Sequence, residues 1–250
     1  MLCLSILMPI PPLTLLLALF LGTPGAQAQP LAPSFCASDG QPRPAQLLER
    51  FINADCDSCW QDPATPKASA GQAVLDWVVP NDTGSKGEDA PLSAVANRDG
   101  LNRLQALGKS LPTLTLVSTL TVKTRRGATL RVAHGLPLSG YMGTSIELKA
   151  SPTSTKAQPV TAWLVLVETL PQGTEGSPVE RNLVRNSIQI RLQPNKFGRK
   201  QLLNKERFFE SRVMSIASGV NPERLRVIGW IENQAGQVVV AAQSRCQVPG

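Results

Sequence analysis

The spacing of apolar residues changes twice along the chain. Gln46–Asn53 and Ala73–Val79 ("AVLDWVV") are short and apolar at most positions, as strands of a parallel sheet buried on both faces are. A Gly/Asp/Ser-rich loop runs from Asn81 to Pro91. Within Ser93–Leu107, Val95, Leu101, Leu104 and Leu107 then recur near helical spacing behind Ser93 as an N-cap, which predicts a helix in spite of Gly100. From Thr113 the period falls to two: Leu114, Leu116, Leu120 and Val122 alternate with Thr113, Thr115, Thr119 and Thr121. Arg125-Arg126-Gly127 predicts a turn, and Leu130, Val132 and His134 continue the alternation, so the segment reads as a hairpin. Ser145–Lys149, Val160–Leu170, Asn182–Leu192, Arg224–Glu232 and Gln237–Gln243 read as further strands, with a polar turn at Asn233-Gln234-Ala235-Gly236. Gln201–Val213 fits helix or strand equally, and no internal repeat is present.

Charge divides at the place where the period changes. Residues 1–110 carry 7 basic and 10 acidic side chains and residues 111–250 carry 18 and 8, a balance of −3 against +10. With 250 residues, 42% of them hydrophobic, the chain is long enough for one large or two small cores. The expected fold class is therefore α+β, a short α/β unit followed by an antiparallel β-sandwich. The segments expected are an N-terminal arm over residues 29–44, the α/β unit over 45–110 and the sandwich over 111–250.

Residues 1–28 read as a signal peptide, with an apolar stretch from Leu15 to Leu21 and a small-x-small cleavage site at Ala26-Gln27-Ala28. The positively charged leading region is reduced to the amino terminus, since no Lys or Arg precedes Leu15. Pro9, Pro11 and Pro12 leave too short an apolar run for a comfortable membrane span, and no transmembrane segment is expected in the mature chain. The expected location is periplasmic or secreted. An oxidising compartment makes disulfides the default for the even set Cys36, Cys56, Cys59 and Cys246, and Cys56–Cys59 with Cys36–Cys246 is the simplest of three pairings.

The chemistry that stands out is the Cys-x-x-Cys of "LERFINADCDSCW". If a helix began at Cys56, free N–H groups and the helix dipole would stabilise its thiolate, with Cys59 one turn on to resolve a mixed disulfide. Two features oppose this. Asp55 and Asp57 flank the first cysteine and raise a thiol pKa, while Pro63 and Pro66 lie where the supporting helix should run. A redox pair, a structural staple and a metal site thus compete, the last being weakest because a second cysteine pair is missing.

The same stretch resembles the opening of a family of secreted bacterial proteins of unknown function, in which a Val-Glu-Leu-Phe-Thr-Ser strand leads into a Cys-x-x-Cys. Glu49, Phe51, Cys56 and Cys59 fall at the matching positions, and "TAWLVLVE", "ERNLVRNSI" and "VIGWIENQAGQVVVAA" are also similar. The resemblance implies a thioredoxin-like N-terminal domain, here shortened. The Pro-Pro-Ala-Asp that usually follows the second cysteine is replaced by Trp60-Gln61-Asp62-Pro63, and the family's aromatic segment is reduced to Asp76-Trp77. The only candidate for the cis-proline of such a fold is Pro112.

Other candidates are weaker. His134, the only histidine, reads as a satisfied sheet residue, and Gly135–Gly143 as a turn with Tyr141 as its anchor, since a phosphate-loop lysine is missing. Lys196, Arg199, Lys200, Lys205 and Arg207 form a basic run, while aromatic residues make up only 4% and no groove-reading motif argues for nucleic acid. No cofactor is expected. Two functions follow as expectations: thiol–disulfide exchange with a protein partner, Cys56 attacking and Cys59 resolving, or non-catalytic binding of an anionic cell-envelope component by a scaffold whose cysteines are staples.

Overall fold

The computed structural model describes residues 36–81, 87–123, 127–149, 159–192 and 207–246. Its strands are β1 (Cys36–Ala37), β2 (Gln46–Asn53), β3 (Gln72–Val79), β4 (Thr115–Thr121), β5 (Thr129–Leu138), β6 (Tyr141–Lys149), β7 (Val160–Leu170), β8 (Arg181–Leu192), β9 (Arg207–Ser215), β10 (Leu225–Asn233), β11 (Val238–Gln243) and β12 (Arg245–Cys246). Among the described residues there is one α-helix, α1 (Asp99–Ala106). The strands form a five-stranded sheet in the order β12-β1-β5-β6-β9 and a seven-stranded sheet in the order β11-β10-β7-β8-β3-β2-β4.

The α+β expectation, a shortened thioredoxin-like unit followed by a separate antiparallel sandwich, is corrected by this topology. β2 and β3 are parallel neighbours, as their unbroken apolar runs require, but β3 also pairs in parallel with β8 through Asp76 and Leu183. The early strands are thereby interior members of a sheet whose other half comes from late in the sequence. The connection between β2 and β3 is residues 54–71, with a single 3₁₀ turn at Ser58–Trp60 in place of a helix. Pro63 and Pro66 each remove a backbone donor that a helix there would need. The expected hairpin across Arg125 is also corrected. β4 pairs with β2 in one sheet and β5 pairs with β1 and β6 in the other, so the two strands are not partners.

Alternation along the seven-stranded sheet sends side chains to two different cores. Trp163, Val165 and Val167 of β7 join Leu47, Phe51, Leu75 and Trp77 beneath Leu104 of α1. The opposite residues Ala162, Leu164 and Leu166 pack on Leu130, Val132, Met142 and Ile146 of the five-stranded sheet. A third cluster gathers Ile52, Val78 and Leu183 against Cys56, Cys59 and Trp60. The cysteine-bearing connection therefore covers apolar sheet surface that would otherwise be wet.

Two glycines sit where elements approach closely. A Cβ on Gly100 of α1 would run into Val79 Cγ1, and one on Gly229 of β10 would lie 2.6 Å from Val132 Cγ1 on the facing sheet. The Gly135–Gly143 stretch is mostly strand. β5 continues to Leu138 and turns through Ser139 and Gly140, both at positive φ (51° and 76°), the pattern of a type I′ hairpin. Tyr141 opens β6 and is exposed, so it does not anchor a loop as expected. The Ser93–Leu107 segment is a 3₁₀ turn at Ser93–Val95 followed by α1, and the helix starts only at Asp99.

Candidate functional site

The Cys-x-x-Cys lies just past the end of β2. Asn53 closes that strand: its side-chain oxygen accepts from the Asp55 amide at 2.9 Å, its amide group donates to the Pro112 carbonyl at 2.9 Å, and its carbonyl accepts from Cys56 N at 3.0 Å. Cys56 and Cys59 are joined by a disulfide and both are buried. Cys59 belongs to a three-residue 3₁₀ turn, so no regular helix begins at the sulfurs and the dipole expected at Cys56 has no source. Peptide bonds among the described residues are all trans, Pro112 included.

Trp60 is buried in the same apolar cluster as the two cysteines. Its indole N–H donates to the Thr174 carbonyl at 3.1 Å, and the Arg181 guanidinium lies 4.9 Å from its ring centre. Arg181 also donates to the Trp60 carbonyl at 2.8 Å and pairs with Asp76 at 3.1 Å. Asp76 in turn accepts from Arg50 at 2.7 Å and from the Asn182 amide at 2.8 Å. Burial pushes the Arg181 guanidinium below its ordinary value, with Asp76 the main opposing influence. The Asp76-Trp77 pair of the sequence is thus a junction of β2, β3 and β8.

On the other face a second buried ion cluster binds α1 to the sheet. Arg103 grips Glu49 with two hydrogen bonds of 2.8 Å and reaches Glu232 at 2.7 Å. Its guanidinium lies 5.0 Å from the ring centres of both Trp163 and Trp230. One guanidinium facing two carboxylates leaves a surplus negative charge, and three indole N–H groups solvate it. Trp77 donates to Glu49 at 3.2 Å, while Trp163 and Trp230 donate to Glu232 at 3.0 and 2.9 Å. Burial works against the Arg103 charge, but Glu49 and Glu232 outweigh it and hold the guanidinium above its ordinary value. Sequence reasoning passed over Arg103 and Glu232. The available signal was a charged residue inside each of the apolar runs "LLERFIN" and "VIGWIEN", which demands a buried partner.

The other disulfide lies in the five-stranded sheet. Cys36 of β1 is bonded to Cys246 of β12 and stands opposite His134 of β5 in the neighbouring ladder. Burial pushes the His134 imidazole below its ordinary value, and a contact with the Gly135 carbonyl works the other way. Lys196, Arg199, Lys200 and Lys205 of the basic run lie outside the described residues. Arg207 starts β9 and pairs with Glu147 at 2.8 Å. A cleft of about 450 Å³ opens beside these groups, lined by Arg43, Arg131, Lys149, Asp39 and Glu147 among others. Within it Arg131 is engaged with Asp39, both carboxylate oxygens accepting from Nε at 2.8 and 2.9 Å.

No family model matches the chain, and no curated protein matches it. Among solved structures it is similar to HBP35 of Porphyromonas gingivalis, at 10% identity and a TM-score of 0.47 over 83% of this chain and 80% of that one. It is also similar to a domain of the outer membrane lipoprotein Omp28 from the same organism, at 10% identity and a TM-score of 0.31 over 51% of this chain and 97% of that one. An endonuclease/exonuclease/phosphatase from Beutenbergia cavernae is matched at 8% identity and a TM-score of 0.27, over 53% of this chain and 30% of that one.

Proposed function

We propose that the chain is an exported, non-catalytic binding or scaffold protein whose Cys56–Cys59 disulfide is a staple. The observation that carries this reading is the packing of that disulfide. Both cysteines are buried in an apolar cluster with Trp60, on a turn that offers no helix N-terminus to stabilise a thiolate. Export is supported by the signal-like residues 1–28 and by the two disulfides. The ligand class that the charges favour is anionic: Arg43 stands on the cleft beside the ion pairs Arg131–Asp39 and Lys149–Glu147, so its lining carries three cations against two carboxylates.

The test has two arms. Equilibrating the chain in dithiol buffers should give the Cys56–Cys59 couple a potential below about −300 mV, the range of structural disulfides. Sedimentation with phosphatidylglycerol vesicles should show binding that weakens with salt and with Arg43→Ala/Lys149→Ala, and that survives Cys56→Ser/Cys59→Ser. A couple between about −120 and −270 mV would support the other reading, thiol exchange with Cys56 attacking and Cys59 resolving. That reading draws on the two-residue spacing and on the position of the pair after a buried strand.

A further inference from the structure

Three potential metal ligands, two sulfurs and an imidazole, meet on three neighbouring strands. Cys36 is level with Cys246 on one side and with His134 on the other, and the ligand atoms of the three all lie within 4.8 Å of one another. His134 is 4% exposed, and its Nδ1 lies 3.1 Å from the Gly135 carbonyl oxygen. Its Nε2 is buried and has no hydrogen-bond partner among the described residues. Such an orphan is costly and calls for an explanation. If Nδ1 carries the proton and donates it to the carbonyl, Nε2 keeps its lone pair. That is how a metal-binding imidazole is usually held.

With the disulfide closed, both sulfurs are committed to each other. Once it opens, the same positions offer two thiolates and an imidazole, a donor set suited to Zn²⁺. Bonds of about 2.3 Å to sulfur and 2.0 Å to nitrogen put the ligand atoms of a tetrahedral site roughly 3.5–4 Å apart, within reach of the spacing found here.

We propose that Cys36, His134 and Cys246 form a reduction-gated Zn²⁺ site, empty while the disulfide is closed and filled when a dithiol reductant opens it. The thiolate of the reductant attacks the sulfur of Cys246, the exposed member of the pair, and the Cys36–Cys246 bond breaks with Cys36 leaving as a thiolate. The reductant's second thiol then displaces Cys246. The reductant departs as its own disulfide, oxidised by two electrons, and Cys36 and Cys246 are left as thiols. Zn²⁺ releases both thiol protons to solvent and takes the two sulfurs and Nε2, leaving its fourth position to water or to a ligand from outside.

The test uses the full chain, reduced with a phosphine under anaerobic conditions, and Co²⁺ as a spectroscopic stand-in for Zn²⁺. The expected result is one equivalent of Co²⁺ with thiolate-to-metal absorption in the near ultraviolet, displaced by Zn²⁺ and missing before reduction. The stoichiometry should stay at one in Cys56→Ser/Cys59→Ser, and His134→Gln should weaken binding at least tenfold. The oxidised His134→Gln chain keeps its disulfide, so its circular dichroism reports folding apart from metal binding. Absorption that never develops, that is unchanged in His134→Gln, or that depends on Cys56 overturns the proposal. So does a reduced chain that loses its β-sheet signal and does not regain it with Zn²⁺.

Discussion

Arg103 shows what a single buried charge does in this protein. It touches two carboxylates and two indole faces, so removing it strands Glu49 and Glu232 in an apolar layer. Arg103→Met should lower unfolding stability by about 3–5 kcal/mol, measured in urea, because an uncompensated buried carboxylate costs more than the lost contacts. Arg103→Lys should recover only part, since an ammonium does not reproduce the two-bond grip on Glu49. A loss of less than 1 kcal/mol in Arg103→Met would show that water reaches the cluster. None of these partners was legible as a partner. Glu49 and Arg103 are 54 positions apart and Arg103 and Glu232 are 129, and periodicity reports a face without reporting what faces it.

At the scale of elements, the close seat of α1 on β3 reverses an ordinary expectation. Replacing a helical glycine by alanine usually gains up to about 1 kcal/mol. At Gly100 the added carbon would run into Val79 Cγ1 and lie 3.4 Å from Trp77 Cβ, so Gly100→Ala should destabilise by about 1–3 kcal/mol. An unchanged or raised midpoint in thermal unfolding would mean that α1 can lift off the sheet at little cost. The glycine that weakened the helix signal in the sequence is thus the residue that lets the helix dock. Strand limits were legible where both faces are buried: the apolar runs at Gln46–Asn53 and Val160–Leu170 coincide with β2 and β7. Pairing was not, because alternation in β4 and β5 is the same whether they form one hairpin or belong to different sheets. The thioredoxin-like expectation failed for the same reason. Parallel β2 and β3 are common to both arrangements, and only the distant β8 decides that they sit within a seven-stranded sheet.

Across the whole molecule, the two disulfides differ in the loops they close. Cys56–Cys59 spans 3 residues and Cys36–Cys246 spans 210. On chain entropy alone the first should be worth about 2 kcal/mol and the second about 5 kcal/mol. Cys36→Ala/Cys246→Ala is therefore expected to lower stability more than Cys56→Ala/Cys59→Ala in denaturant unfolding. The reverse order would mean that the packing of Cys56 and Cys59 in the apolar cluster with Trp60 outweighs loop length. The exposed Cys246 also makes the long-loop bond the first expected to open under mild dithiol, which timed thiol alkylation and mass measurement would read directly.

The same long-loop bond gives the protein a mechanical property. Force applied to the chain before Cys36 and after Cys246 passes through the sulfur–sulfur link and bypasses the sheets between them. In an optical trap the oxidised fold between Cys36 and Cys246 should not extend. After reduction the load would fall on the short pairing of β1 with β12 and then on the rest of the five-stranded sheet. One covalent bond thus decides whether the fold bears tension or is shielded from it.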